Sequence, residues 1–397
     1  MIATAVRVLC NVCGAPTGEP LYRSGAAGSI TSLAKPFSCP TIVYQCPACA
    51  HVQTPPLDDI ASYYDTNYNV RADSEDADDL YAVRDGVAVY RTEHQAAEAL
   101  AKLAPATGAR ILDYGCGKAR TLRHMVRARP DLRPSVFDVS AAYAPFWDEF
   151  VPRDEQAAYD VPAAWESRFD VVLSFYAMEH VADPRAFLAS IRRLLRPGGR
   201  VHLVIPNVRR NAGDLIVVDH VNHFMPTSLR LIFTLEGFDE IEIDEESNTA
   251  AYVVNARAAA CHPEPVEGSA TIAPSASSIA PFIEEAQAMA AFWTGARDRI
   301  AAFERDVARD RRAAIYGSGF YGAFIASALS DRGTLAYFLD RNPHQQAKRV
   351  FDRAVLPPDA IGDDIEVVYA GLNPAGARDI IAGAAPLRQR ERTYFFL

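Results

Sequence analysis

Apolar and polar positions fall into three regimes along the chain. The first 56 residues carry only short apolar runs, such as 41–44, set among Cys, Gly, Pro and Thr. That pattern predicts a small, loop-rich module with too little apolar mass to fold unaided. Residues 57–85 are acidic and tyrosine-bearing (SYYDTNYNV, then ADSEDADD), which reads as a surface segment. From Val87 onward, Val87, Tyr90, Ala97, Leu100 and Leu103 fall near helical spacing and predict an amphipathic helix that ends before Pro105. Apolar runs at 110–113, 135–138, 169–174 and 200–205 then alternate with helical patterns at 121–129 and 184–195. This rhythm predicts a parallel sheet with helices on both faces. Residues 261–281 are rich in Pro, Ser and Ala without periodicity and read as a linker lacking regular structure. A long helix is predicted over 282–312, and a second strand–glycine-loop–helix pattern opens at 313–316 and continues at 335–340 and 366–369. The expected architecture is α/β, with a module over 1–56, a doubly wound domain within 57–260, a linker over 261–281, and a second Rossmann-like domain over 282–397.

Length and composition narrow this picture. A chain of 397 residues exceeds one core and points to two or three domains. Hydrophobic residues at 49% and charged residues at 23% are ordinary globular values, which argues against wholesale disorder. The formal net charge of −10 repels phosphate backbones, so no nucleic-acid partner is expected. No stretch approaches the roughly 18 apolar residues of a membrane span, and MIATAVRVLC has no sustained apolar core of a leader. The expectation is a cytoplasmic protein without membrane association, monomeric or homodimeric, acting on a small molecule.

Seven cysteines, an odd and dispersed count, argue against a disulfide framework. Four of them form two pairs, Cys10-x-x-Cys13 and Cys46-x-x-Cys49, separated by 32 residues. Each pair places two thiolates on one tight turn, and two such turns supply the four soft ligands of a closed tetrahedral Zn²⁺ site. Four sulfurs leave no open position, so such a metal is structural. His51 and Cys39 are spare ligand candidates.

Residues 111–119, ILDYGCGKA, read as a strand running into a glycine turn and a helix. Glycines at 115 and 117 let backbone N–H groups approach a ligand closely at the helix start. A dinucleotide fingerprint wants a third glycine where Arg120 stands. Asp113 suits an ammonium better than a pyrophosphate, and S-adenosylmethionine offers such an ammonium. Asp138 ends the next strand 25 residues on, where an acid accepts from both ribose hydroxyls. Asp160 is a candidate for the adenine amino group.

The ordered runs DYGCGKA, FDVS, FDVVLSFYAMEHVADP and LLRPGGRVHLVIPN resemble the class I S-adenosylmethionine-dependent methyltransferases over about residues 90–250. The resemblance implies a donor site built from Asp113, Gly115, Cys116, Gly117, Asp138, Val139 and Ser174. The second glycine loop, GSGFYG at 317–322 with Asp340 ending the next strand, has the form of a full dinucleotide fingerprint. Taken alone, it favours an NAD-dependent enzyme. The order of the whole chain instead resembles the sugar C-methyltransferases, with zinc module, methyltransferase and Rossmann-like domain in sequence. The stretch YFLDRNP at 337–343 matches that family's last domain, which holds no redox cofactor and helps frame the substrate site. The implied substrate is a nucleotide-linked keto-deoxysugar.

Methylation at a carbon beside a ketone requires a base to remove the α-proton and stabilisation of the enolate. His180 in MEHV and His220 and His223 in VVDHVNHF are the candidates. Asp219-His220 matches the family's acid–histidine pair, while Val217 and Val218 stand where the family carries Tyr-His. Tyr64 and Tyr68 resemble the tyrosines that close over the sugar in that family. The alternatives are O- or N-methylation of another small metabolite, an NAD-dependent sugar oxidoreductase, and a non-catalytic sugar-nucleotide binder.

Overall fold

The computed structural model describes residues 8–25, 29–57, 78–84, 87–259, 273–346 and 348–397. Contacts divide the chain into two units, and neither is continuous in sequence. The first comprises Met1–Gly18, Gln45–Asn207 and Val221–Ile283; the second comprises Glu19–Tyr44, Val208–His220 and Glu284–Leu397. The residues of the expected 1–56 module are therefore shared between both units. The reason is the shortage of apolar mass already visible in the sequence. Cys10, Val12, Cys46 and Cys49 are buried in the core of the first unit, together with Leu112, Val172 and Phe224.

The first unit is built on seven strands: β1 Arg110–Tyr114, β2 Arg133–Asp138, β3 Gln156–Ala158, β4 Phe169–Phe175, β5 Leu195–Pro206, β6 Phe238–Asp244 and β7 Ala251–Ala258. Their order across the sheet is β3-β2-β1-β4-β5-β7-β6. The first five are parallel neighbours, whereas β7 runs antiparallel to both β5 and β6. The sheet is thus mixed, where the sequence rhythm predicted a parallel one. The chain returns from β6 as a hairpin, and its returning strand inserts between β6 and β5.

Alternate residues of each strand feed opposite faces. Leu112, Val172, Val201 and Leu203 pack with helices α3 Pro184–Leu194 and α4 Pro226–Leu235. Ile111, Val136, Val171 and Leu173 pack with α1 Arg91–Leu103 and α2 Arg120–Ala128. Helix α1 starts later than its periodicity suggested, because Val87–Tyr90 forms an antiparallel strand pair with Leu80–Arg84. The β-branched Val87 and Val89 favour that hairpin. The turn into α1 is closed by the Tyr90 N–H donating to Glu93 Oε2 at 3.3 Å.

Helix α5 Ala276–Phe303 begins inside the stretch expected to be a linker without regular structure, and its residues from Glu284 onward belong to the second unit. Ser275 starts it: its Oγ accepts from the Ser278 N–H at 3.3 Å, and its carbonyl accepts from the same N–H at 3.0 Å. Alanine-rich sequence forms helix readily once a cap exists, so lack of apolar periodicity was a poor guide here. The helix ends at Phe303, before the predicted 312, and a π-helical turn spans Glu304–Ala308. Six strands follow: β8 Ala313–Tyr316, β9 Leu335–Leu339, β10 Arg349–Val350, β11 Arg353–Leu356, β12 Val367–Ala370 and β13 Thr393–Phe396. They are ordered β10-β11-β9-β8-β12-β13, parallel except for the β10–β11 pair. Helix α6 Phe320–Ala328 follows β8, and α7 Ala377–Gly383 follows β12. Among the described residues, no helix is long and apolar enough to cross a membrane.

Candidate active site and four-thiol centre

In the first unit, the strand order reverses direction between β1 and β4. In open α/β sheets, that is where the carboxyl ends of strands leave a crevice for a ligand. The turn leaving β1 has φ of +74° at Gly115 and +50° at Gly117. A Cβ on Gly115 would stand 3.0 Å from the Ala177 Cβ, so crowding excludes any larger residue there. Nothing lies within 4 Å of a Cβ placed on Gly117, which leaves space beside its Cα. The Gly115 and Cys116 N–H groups donate to the Phe137 carbonyl at 2.8 and 3.1 Å. Trp147 Nε1 donates to the Gly117 carbonyl at 2.7 Å.

Asp113, at the end of this strand, is 2% exposed, and no donor among the described residues reaches its Oδ1. Burial, reinforced by the Asp138 charge, pushes its carboxyl up to about 8. Such a group is stable only when protonated or when a cation arrives. Asp138 sits at the end of β2 and is tied to the same turn. Its Oδ2 accepts from the Gly117 N–H at 2.7 Å and its Oδ1 from the Ser140 N–H at 3.0 Å. Each carboxylate oxygen retains capacity for another donor. Val139 is 60% exposed, an apolar surface directly after that acid.

Cys116 is half-buried and lies against its own turn, its Sγ 3.5 Å from the Gly117 carbonyl. Burial and the two neighbouring acids push its thiol up, away from thiolate reactivity. Ser174 is committed elsewhere, donating to the Tyr114 carbonyl at 2.8 Å and so pinning β4 to β1. Asp160 is exposed beyond the end of β3. Tyr64 and Tyr68 lie outside the described residues, as do 261–272 of the expected linker.

The three histidine candidates have different immediate partners. His223 is fully buried in a two-residue strand paired with Val52–Gln53, its Nε2 3.2 Å from Thr54 Oγ1. This is a hydrogen-bonded core histidine, removed from any open site. His180 closes the 3₁₀ turn Met178–His180 and is 8% exposed, with Nε2 3.9 Å from Glu179 Oε1. His220, in the second unit, places Nδ1 2.6 Å from Asp214 Oδ1. The acid partner of His220 is therefore Asp214 and not the adjacent Asp219. Asp219 accepts from the Ser32 N–H and hydroxyl, both at 2.7 Å. No spacing rule marks Asp214, because the pair forms only when the segment between β5 and residue 221 folds back on itself. Sequence reading also passed over Tyr176, which holds a φ of +53° just after β4 with the Arg91 guanidinium 4.9 Å from its ring centroid.

The four thiols converge. Cys10, Cys13, Cys46 and Cys49 place their sulfurs within 4.8 Å of one another. The Cys10–Cys49 and Cys13–Cys46 separations are 3.7 and 3.5 Å. A tetrahedron with Zn–S bonds of about 2.3 Å has edges of about 3.8 Å, so the donor set and its size both fit Zn²⁺. The two turns are copies of one design. Gly14 N–H donates to the Cys10 carbonyl at 2.8 Å and Ala50 N–H to the Cys46 carbonyl at 3.0 Å, and both residues have positive φ.

Comparison with known proteins converges on the same region. Residues 89–243 match the family described as "Methyltransferase domain". The ubiquinone biosynthesis O-methyltransferase of Cereibacter sphaeroides is 38% identical over 130 residues, covering 31% of this chain and 51% of that protein. The protein of the same name from Maricaulis maris is 37% identical over 123 residues, covering 29% and 47%. The chain spans about half the length of these curated relatives. Among solved structures, the 1,6-didemethyltoxoflavin-N1-methyltransferase of Burkholderia thailandensis aligns at 18% identity and a TM-score of 0.35, covering 53% of this chain and 96% of that one.

Both centres lead to testable outcomes. Metal analysis of the purified protein should give about one Zn per chain, and Cys46→Ser should remove it and lower the melting temperature; a metal-free chain of unchanged stability would contradict the fit. The Asp113 carboxyl, facing Asp138 from β2 and Cys116 from the turn, is protonated below about 8 in the free protein. Affinity for a ligand bearing an ammonium should therefore rise roughly tenfold per pH unit up to about pH 8 and then level. Because this folded value lies above the ordinary 3.8, the same group lowers stability as pH rises through that interval. Asp113→Asn should raise the melting temperature of the ligand-free protein at pH 8 and weaken ammonium binding by about 10- to 100-fold.

Proposed function

We propose that this chain, whose residues 89–243 are a methyltransferase domain of the S-adenosylmethionine-dependent class, transfers a methyl group from that donor to a small-molecule acceptor. The observation that carries the reading is Asp113, a buried carboxyl whose Oδ1 has no donor among the described residues, beside an open glycine turn. It suits the donor's ammonium. Asp138 would accept from the ribose hydroxyls, and Val139 offers an apolar face to the adenine ring. The donor supplies an electrophilic methyl on a sulfonium. Cys10, Cys13, Cys46 and Cys49 would hold a Zn²⁺ with four thiolates, and the metal would fasten the turns that carry Cys10 and Cys46 against the core.

The acceptor we favour is a nucleotide-linked keto-deoxysugar methylated at carbon, in keeping with the whole-chain resemblance to sugar C-methyltransferases. His220 is the base. Asp214 accepts from Nδ1–H, which fixes the tautomer that leaves Nε2 able to take the α-proton. A second reading, O-methylation of another small metabolite, is supported by the names of the relatives over the matched segment. His220 would serve there too, since a hydroxyl acceptor also has to lose its proton.

Calorimetry with S-adenosylhomocysteine tests the donor, and the absence of binding would remove the reading. The acceptor is tested by incubation with labelled donor and, in parallel, a nucleotide-linked 4-keto-6-deoxyhexose and a catechol. Carbon methylation predicts deuterium incorporation beside the ketone in D₂O, lost in His220→Ala with donor binding retained. Turnover of the catechol alone would select the second reading. His220→Ala should lower turnover about 100- to 10,000-fold, the range for loss of a general base.

A further inference from the structure

The dinucleotide-like loop at 317–322 is not used by the function proposed above, and its surroundings show what it does. In the parallel part of the second sheet, the connection reverses between β8 and β12, the position of a ligand crevice in such folds. Here Gly317 and Gly322 pack against backbone, while a Cβ on Gly319 between them would meet nothing within 4 Å. Gly317 has a φ of +101°, and a Cβ on it would lie 2.2 Å from the Gly371 carbonyl oxygen. A Cβ on Gly322 would lie 2.0 Å from the Gly317 oxygen, and one on Gly371 would lie 2.6 Å from the Gly322 Cα. Three glycines thus meet main chain to main chain, locked by the Gly371 N–H donating to the Tyr316 carbonyl at 2.8 Å.

The acid of the fingerprint is also occupied. Asp340 Oδ2 accepts from both the N–H and the hydroxyl of Ser318, at 2.9 and 2.6 Å, and its Oδ1 accepts from the Asn342 N–H at 2.9 Å. A ribose hydroxyl would compete with Ser318 for Oδ2, whereas Oδ1, with one donor, retains capacity as the oxygens of Asp138 do.

What the tight loop does deliver is the first turn of α6. Tyr321 donates its hydroxyl to Asn211 Oδ1 at 2.6 Å and accepts from the Gly213 N–H at 2.9 Å. A Cβ on Gly213 would stand 2.8 Å from the Tyr321 ring, so the two are matched in shape. The same four-residue stretch is held at two more points. Trp293 Nε1 of α5 donates to the Ala212 carbonyl at 2.7 Å, and Asn373 Nδ2, just beyond β12, donates to the Arg210 carbonyl at 2.8 Å. The next residue is Asp214, 2% exposed, which holds His220.

We infer that the second glycine loop is a mount for the 208–220 segment and that Tyr321 is a positioning residue for His220, acting through residues 211–214. Its catalytic consequence rests on His220 being the base of the function proposed above; the mechanical assignment does not. Packing three glycines lets α6 start close to the sheet, and Tyr321 then reaches the turn that fixes Asp214.

The test uses the full chain labelled with ¹⁵N-histidine, with the His220 resonances assigned through His220→Asn. The wild-type nitrogens should show one tautomer, protonated at Nδ1. In Tyr321→Phe, which keeps the ring and removes the hydroxyl, they should move toward tautomer-averaged values. Binding of S-adenosylhomocysteine should stay within about twofold of wild type. If that variant does not fold, Asn211→Ala removes the acceptor while keeping the tyrosine and should give the same averaging. His220 signals unchanged in both variants would overturn the inference, as would calorimetric binding of NADH to the wild-type protein. Failure of S-adenosylhomocysteine to bind would instead remove the proposed function, leaving the histidine signals to judge the mount.

Discussion

Burying a carboxyl whose oxygen meets no donor disfavours its charged form by several kcal/mol, and Asp113 imposes that constraint on the first unit. Its position at the carboxyl end of β1, a central strand covered on both faces, keeps water away. The surrounding bonds preserve the arrangement without relieving it. Phe137 anchors the turn, Trp147 holds the Gly117 carbonyl, and Asp138 binds the Gly117 N–H. None of these supplies a cation. A ligand that carries its own positive charge offsets the desolvation, and its absence leaves a proton in its place. The glycine turn, the paired acids and the exposed valine thus read as one device with a single electrostatic requirement.

A different principle governs the histidine. Asp214 and His220 are six residues apart and meet because their segment is pinned at Arg210, Ala212 and Gly213 by side chains more than 80 residues further along the chain. The orientation of the imidazole therefore depends on aromatic packing at Trp293 and Tyr321, whose rings stack at 6.0 Å. Local sequence sets the chemistry available, while distant sequence sets its geometry.

That contrast explains what could be read from residues alone. The glycine turn, Asp113, Asp138 and the cysteine pairs follow from short-range rules: a strand end, a left-handed turn, a tight loop bearing two sulfurs. Structure places them at those positions. The adjacent Asp219 was the natural partner for His220 by proximity in sequence, but its carboxylate is taken by Ser32. The hairpin before α1 was hidden because Val87 and Tyr90 satisfy a helical spacing as well as a strand. The mixed sheet was hidden because FDEIEID in β6 alternates polar and apolar residues at an edge, far from the continuous apolar runs that mark buried strands. The second glycine loop misled for a related reason. Glycines needed for close backbone contact and glycines needed for a phosphate have the same spacing, and only the neighbours distinguish them.

The discontinuity of the second unit has a consequence for how the chain is made. Residues 19–44 and 208–220 belong with a partner that begins at Glu284. A ribosome releases the N-terminal part long before that partner exists. The early strands around Tyr22 and Val43 must wait, apolar and unpaired with their final core, through the synthesis of more than two hundred residues. A polypeptide terminated before residue 284 would retain every residue of the donor turn, yet lack the partner of the 208–220 segment. Synthesis beyond residue 284 is in this sense the event that installs His220.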